Sequence, residues 1–221
     1  MTATHPLFAC TLLGLALALP AHASGTQHFN VSLPRVLAGL SVELDLPTDA
    51  DGYWKQILNN SDTTIAEFLH THDTLASIDI EVAEVADFFD TSTLTTPVNA
   101  ANFLHSPDVV AQLKQRYNSH PSADPQASRS LSHFQTTQLS GKPALRFQVQ
   151  SQYVSPELEM RVVGQADYVA FMHGQRYVYI KMADEGLVEG ADAMTQPYRF
   201  ASKQVRFYDY NSSLNSIQLK Y

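Results

Sequence analysis

Hydrophobic and polar residues alternate with a period of two through much of this chain, the pattern of strands with one buried face. Phe29, Val31 and Leu33 alternate with polar neighbours up to Pro34, and Leu40, Val42, Leu44 and Leu46 do so again up to Pro47. The two runs predict a hairpin. After the polar turn Thr48 to Gly52 comes Tyr53-Trp54, and then Ile65, Phe68 and Leu69 at helical spacing behind Ser61-Asp62, which predicts a capped helix. Ile78, Ile80 and Val82, alternating with Asp79 and Glu81, mark the next strand.

From Ala86 to Ser130 the period changes. Asp90 to Pro97 is rich in loop formers, and Ser106-Pro107-Asp108 predicts a helix start, with serine as cap, proline in the first turn and aspartate complementing the dipole. Val109, Val110, Leu113 and Tyr117 supply its apolar stripe, and the helix should end near Asn118, before the loop Ser119 to Pro125. The second half carries four strand candidates in succession, Leu131 to Leu139, Ala144 to Val154, Leu158 to Met172 and Arg176 to Met182. Ser140 to Pro143, Ser155 to Glu157 and His173-Gly174 separate them, and connections that short force antiparallel neighbours. Leu145, Phe147, Val149 and Tyr153 face one way, Arg146, Gln148, Gln150 and Gln152 the other. Ala191 to Tyr210 predicts a helix carrying Phe200, Ala201, Val205 and Tyr208, and Ile217 and Leu219 a last short strand.

One segment fits none of these periods. Leu7 to Leu19 is almost unbroken apolar sequence ending in Pro20-Ala21-His22-Ala23, which predicts a signal peptide over residues 1–23 and a mature chain from Ser24. The run is shorter than the roughly 20 residues a membrane-spanning helix needs, so no stable insertion is expected after cleavage. Residues 24–221 suffice for one domain, and the Leu/Ala-rich leader points to the periplasm of a bacterium or to secretion. The one cysteine, Cys10, lies in the leader, so the mature domain is expected to be cysteine-free. The leader holds no Asp, Glu, Lys or Arg, so the net charge of −8 belongs to the mature chain. That balance argues against a nucleic-acid partner, which takes clustered Lys and Arg. Arg199, Lys203 and Arg206 form the one local basic group, and with Asp209 close behind they read as a solvated helix face.

The order of elements is similar to that of a known fold. A hairpin ends in Leu46-Pro47 with Trp54 just after it, a helix leads into a strand, Gly141-Lys142-Pro143-Ala144 opens an antiparallel meander, and a helix precedes the final strand Ser216 to Leu219. This resembles the Mog1/PsbP-like fold of the photosystem PsbP proteins, the nuclear transport factor Mog1 and bacterial DcrB-type periplasmic relatives. The resemblance implies an α+β architecture, an antiparallel sheet flanked by helices as an α/β/α sandwich. It also implies a non-enzymatic binding or accessory role, with no family active site to carry over.

Candidate chemistry is sparse. Seven histidines lie beyond the leader, at His28, His70, His72, His105, His120, His133 and His173. The tightest group, His70-Thr71-His72-Asp73, falls at an expected helix end, where residues two apart diverge and histidines serve as dipole partners, so no metal is expected there. Asp79 with Glu81, and Glu157 with Glu159, each share a strand face, but paired carboxylates on a strand are usually solvated. There is no G-x-S-x-G, H-E-x-x-H or S-x-x-K pattern. Tyr177, Tyr179, Phe207, Tyr208 and Tyr210 can floor a groove or fill a core, and core packing is the commoner use. No catalytic, cofactor or metal residue is therefore assigned. The expectation is a non-catalytic periplasmic accessory protein contacting another envelope or secreted protein, for instance an immunity protein against an envelope-targeting effector. The alternative is a periplasmic hydrolase or metal-dependent enzyme with a dispersed site.

Overall fold

The computed structural model describes residues 25–32, 39–48, 52–57, 64–71, 76–119, 127–155, 160–188 and 210–221. The expected leader, and the expected helix short of Tyr210, lie outside them. In chain order the strands are β1 (Gly25–Ser32), β2 (Ser41–Thr48), β3 (Trp54–Ile57), β4 (Thr64–His70), β5 (Ala76–Glu84), β6 (Ser128–Leu139), β7 (Lys142–Ser155), β8 (Met160–His173), β9 (Arg176–Val188) and β10 (Gln218–Lys220). The helices are α1 (Val85–Phe88), α2 (Pro107–Asn118) and α3 (Asn211–Ser216), with single 3-10 turns at Thr91–Thr93 and Phe103–His105. Strands β3-β4-β5-β9-β8-β7-β6 make one sheet and β1-β2-β10 a second, every pairing antiparallel. The class is α+β, as the resemblance implies.

The large sheet is buried on both faces. On one, the even residues of β2 (Val42, Leu44, Leu46), with Leu214 of α3 and Leu219 of β10, pack against Ile78 and Ile80 of β5 and Val178, Ile180 and Met182 of β9. On the other, Val109, Leu113 and Tyr117 of α2 cover Leu145, Phe147 and Val149 of β7, Tyr168 and Ala170 of β8 and Tyr177 of β9. Each fully buried aliphatic side chain contributes about 1.5–3 kcal/mol, so the two cores outweigh any surface pair. The meander follows its turns. Ser140 and Gly141 both hold positive φ, 48° and 78°, the geometry of a two-residue hairpin loop, and Gly174 at 61° opens the loop between β8 and β9.

The expected helix around Ile65, Phe68 and Leu69 is a strand. Ala66, Phe68 and His70 are buried at alternate positions of β4, which pairs with β3 on one side and β5 on the other. Ladder bonds on both edges and a period-two buried face override a spacing that also fits a helix. His70 is thus an interior strand residue and not a helix end, while His72 and Asp73 lie outside the described residues.

Helix α2 begins where expected, but not by the expected cap. The Ser106 hydroxyl donates to the Phe103 carbonyl at 2.7 Å, and no side chain caps the helix at Ser106. Asp108 instead captures the preceding loop, accepting from the Thr95 amide at 2.6 Å, the Thr95 hydroxyl at 2.8 Å and the Thr96 amide at 3.3 Å. The nearby Ser106 hydroxyl, then the Thr95 groups, and the Val109 amide hold the Asp108 carboxyl well below the usual carboxylate range. A carboxyl depressed in the folded state stabilises above its unfolded value, near 4, and that stabilisation is lost as pH falls through the folded value. Thermal melts should therefore drop more steeply for the native chain than for Asp108→Asn as pH is lowered from about 5 to about 2. Parallel curves would exclude Asp108 as the acid-sensitive latch.

Candidate functional site

Where α2 ends, the helix-covered face of the large sheet comes out from under it. Odd residues of β5 and β9 and even residues of β8 point to this face, and register sets them in rows. One row holds Asp79, Lys181, Tyr168 and Phe147, the next Ser77, Ala183, Ala166 and Val149, and the next Glu185, Gly164, Ser151 and Arg129. The bulk falls from tyrosine and phenylalanine to alanine, glycine and serine within two rows. The result is an open cleft of about 310 Å³ with Val149, Ser151, Gly164, Ala166 and Ala183 along its floor and Phe88, Tyr117, Tyr168 and Tyr179 as its wall.

The wall is held from behind. Phe147 stacks on Tyr168 with ring centroids 4.9 Å apart and on Phe134 at 5.8 Å, and Phe88 lies 4.3 Å from Tyr177 and 5.9 Å from Tyr179. Phe134 reaches this stack through a bulge in edge strand β6. Pairing runs from Ser132 opposite Gln148 to Gln135 opposite Arg146, so His133 and Phe134 together face Phe147. His133 takes a φ of 49°, and the alternation of β6 flips there. Leu131 and Phe134 thereby both join the helix-side core, while Leu139 joins the opposite one.

Charged groups in and beside the cleft fall into two kinds. Asp79 and Glu81 share a face of β5, as expected, but are engaged by partners and not simply solvated. Lys181 Nζ lies 3.3 Å from Asp79, and the Tyr179 hydroxyl donates to Glu81 in a short hydrogen bond. Burial first, and then the Glu81 carboxylate, push the Tyr179 phenol upward, so it stays protonated as a donor. Burial alone would lower Lys181, but Asp79, Tyr168 and Glu81 together outweigh it and the ammonium is raised. The arginines are different. Arg116, in the last turn of α2, sits 4.0 Å over the Phe88 ring and donates to the Phe88 carbonyl at 3.2 Å. Arg129 buries its Nε without a hydrogen-bond acceptor. Neither arginine has a carboxylate partner among the described residues.

The described histidines do not converge. His28 pairs with Asp45 at 2.8 Å on the small sheet, His105 contacts the Ala144 carbonyl at 3.0 Å, His133 is the bulge residue, and His173 stacks on Tyr221 at 6.1 Å. Among the described residues no three His, Cys, Asp or Glu side chains gather as metal ligands would. His120, Glu157, Glu159, Arg199, Lys203, Arg206, Phe207, Tyr208 and Asp209 lie outside the described residues. Of the singled-out tyrosines, Tyr177 is core, Tyr179 lines the cleft, and Tyr210 is buried in the opposite core with its hydroxyl donating to Asp184 at 2.6 Å. Arg116, Arg129, Tyr168 and Gly164 escaped the sequence reading. A glycine inside the apolar run of β8 was the available signal, since strand glycines mark close approach.

A larger concavity of about 430 Å³ lies at the bulge, but its one guanidinium and its carboxylate are engaged: Arg146 donates to Asn215 at 3.0 Å and to Asn211 at 2.6 Å, and Gln148 donates to Asp167 at 3.3 Å. The cleft beside α2 is the candidate site, because among the described residues the Arg129 Nε there has no acceptor and neither of its arginines has a carboxylate partner.

No family model matches the sequence, and no curated protein matches it either. Among solved structures there is a likeness to the solution structure of cyanobacterial PsbP (CyanoP) from Synechocystis sp. PCC 6803. Identity is 10%, the TM-score 0.41, and the match covers 81% of this chain and 87% of that one. At that identity and TM-score the likeness transfers neither a family nor any residue's role.

Proposed function

We propose that this chain is an exported, non-catalytic periplasmic protein that works by binding another envelope or secreted protein, and that the cleft beside α2 is its contact site. One observation carries the reading: the cleft joins tyrosine walls and arginines that have no carboxylate partner among the described residues on a paired sheet, while Asp79 and Glu81 are already bound to Lys181 and Tyr179. Tyrosine and arginine are the side chains that dominate binding surfaces. Immunity against an envelope-targeting effector is one concrete form of such a role.

The test uses the floor of the cleft. A Cβ on Gly164 would come within 2.9 Å of Ser151 Oγ, a hydroxyl free to rotate, and 3.5 Å of Glu185 Cγ. Gly164→Val should therefore fold normally while raising the floor. A photoreactive residue at exposed Glu185 should give one discrete adduct in cells, lost in Gly164→Val, whereas the same group at exposed Tyr53 on the far edge of the sheet should not give it. An adduct that survives Gly164→Val, or none from Glu185, would reject the cleft as the contact site.

A further inference from the structure

We propose that the partner enters this cleft as an extended acidic segment whose carboxylates are taken by Arg116 and Arg129. The inference rests on the binding reading above and names the chemistry of the occupant. Among the described residues in and around the cleft, Arg116, Arg129 and Lys181 face Asp79, Glu81, Asp184 and Glu185, one more acidic group than basic, so the argument turns on hydrogen bonding and not on net field. Lys181 is spent on Asp79, and Glu81 accepts from Tyr179. Each guanidinium carries five N–H donors, and among the described residues Arg116 gives one to a backbone carbonyl while the buried Nε of Arg129 gives none. Donors so placed call for a ligand rich in acceptors, and a carboxylate meets a guanidinium bidentately.

Shape selects the backbone form. A cleft of about 310 Å³ admits two or three side chains but not a helix, which is about 10–12 Å across. The two arginines stand on opposite sides, Arg116 over Phe88 against β9, Arg129 on edge strand β6. Alternate residues of an extended segment point the same way, so acidic side chains can reach both arginines while an apolar one between them settles on Ala166 and Val149 beside Tyr168. Glu185, exposed at the rim, repels a carboxylate placed there and so limits where the acidic positions fall.

The probe is a capped heptapeptide, Ser-Asp-Ser-Leu-Ser-Asp-Ser, which in extended form presents both aspartates and the leucine on one side, titrated into isotope-labelled mature protein. Its control replaces both aspartates by asparagine. The Arg129 Nε–Hε resonance should shift saturably with the acidic peptide. The asparagine control, and separately Arg116→Gln and Arg129→Gln, should weaken binding roughly tenfold or more, the loss expected when a charge-assisted pair is removed. Arg146→Gln, outside the cleft, should leave the titration unchanged. Equal binding of both peptides, or no shift at millimolar acidic peptide, overturns the inference. If either happens while the Glu185 adduct still forms and is lost in Gly164→Val, the acidic-segment inference fails and the binding reading stands. Loss of the adduct result as well sinks both.

Discussion

Replacing Trp54 with alanine should lower the stability of the fold by about 3–5 kcal/mol, through lost transfer energy and the cavity left behind. Trp54 opens edge strand β3 yet is only 1% exposed, and it ties the two sheets together. Its indole donates to the Pro47 carbonyl at 2.7 Å, its backbone amide donates to Gln27 Oε1 at 3.0 Å, and its ring lies 5.3 Å from His70 and 6.4 Å from Tyr210. Trp54→Phe keeps most of the volume and loses the indole donor, so it should cost about 1–3 kcal/mol by leaving the Pro47 carbonyl unsatisfied. Trp54 is the chain's one tryptophan, so both variants must be followed by circular dichroism in denaturant and not by intrinsic fluorescence. A cost below about 1 kcal/mol for alanine would mean that the sheets do not depend on this contact.

Phe147→Ala should cost a similar 3–5 kcal/mol in the other core, with a consequence the tryptophan variant lacks. Phe147 is 1% exposed and touches three rings, Tyr168, Phe134 and Tyr117, the last at 4.8 Å. Tyr168 forms the cleft wall, so removing the ring behind it should loosen the site as well as the core. Phe147→Leu, which keeps much of the apolar volume, should recover much of the stability but not the stacking that fixes Tyr168. Chemical denaturation gives the first effect. The second is read from Tyr168 ring resonances, which should broaden or shift in both variants. Sharp, unshifted Tyr168 signals in Phe147→Leu would show that the wall is positioned by something else.

Local pattern carried far where an element's neighbours follow it in the chain. The hairpin of β1 and β2, strand β5, helix α2 and the meander from β6 to β9 were legible, because short turns leave little choice of partner and the buried residues keep one period. Strand β4 shows the limit. Phe68-Leu69 fits both a helical stripe and an alternating strand, and pairing with β3 and β5 decides between them. That decision also moved His70 from a supposed helix terminus into the interior of a sheet.

The sequence by itself determined which stretches alternate, where the chain turns at Ser140-Gly141 and Gly174, and which residues of β7 turn inward, because these follow from side-chain chemistry and backbone freedom within a few residues. Tertiary structure alone decided the seating of β5 beside β9 and the burial of both sheet faces. The bulge at His133-Phe134, which sends Leu131 and Leu139 to opposite cores despite their even spacing, was equally hidden from local pattern. The cleft belongs to the same class. Arg116 and Arg129 come from a helix and an edge strand, and Gly164 and Ala183 from two strands of the meander, so no local window contains the site. It exists because cross-strand register lines up small residues where α2 ends, and register is set by the packing of the whole sheet.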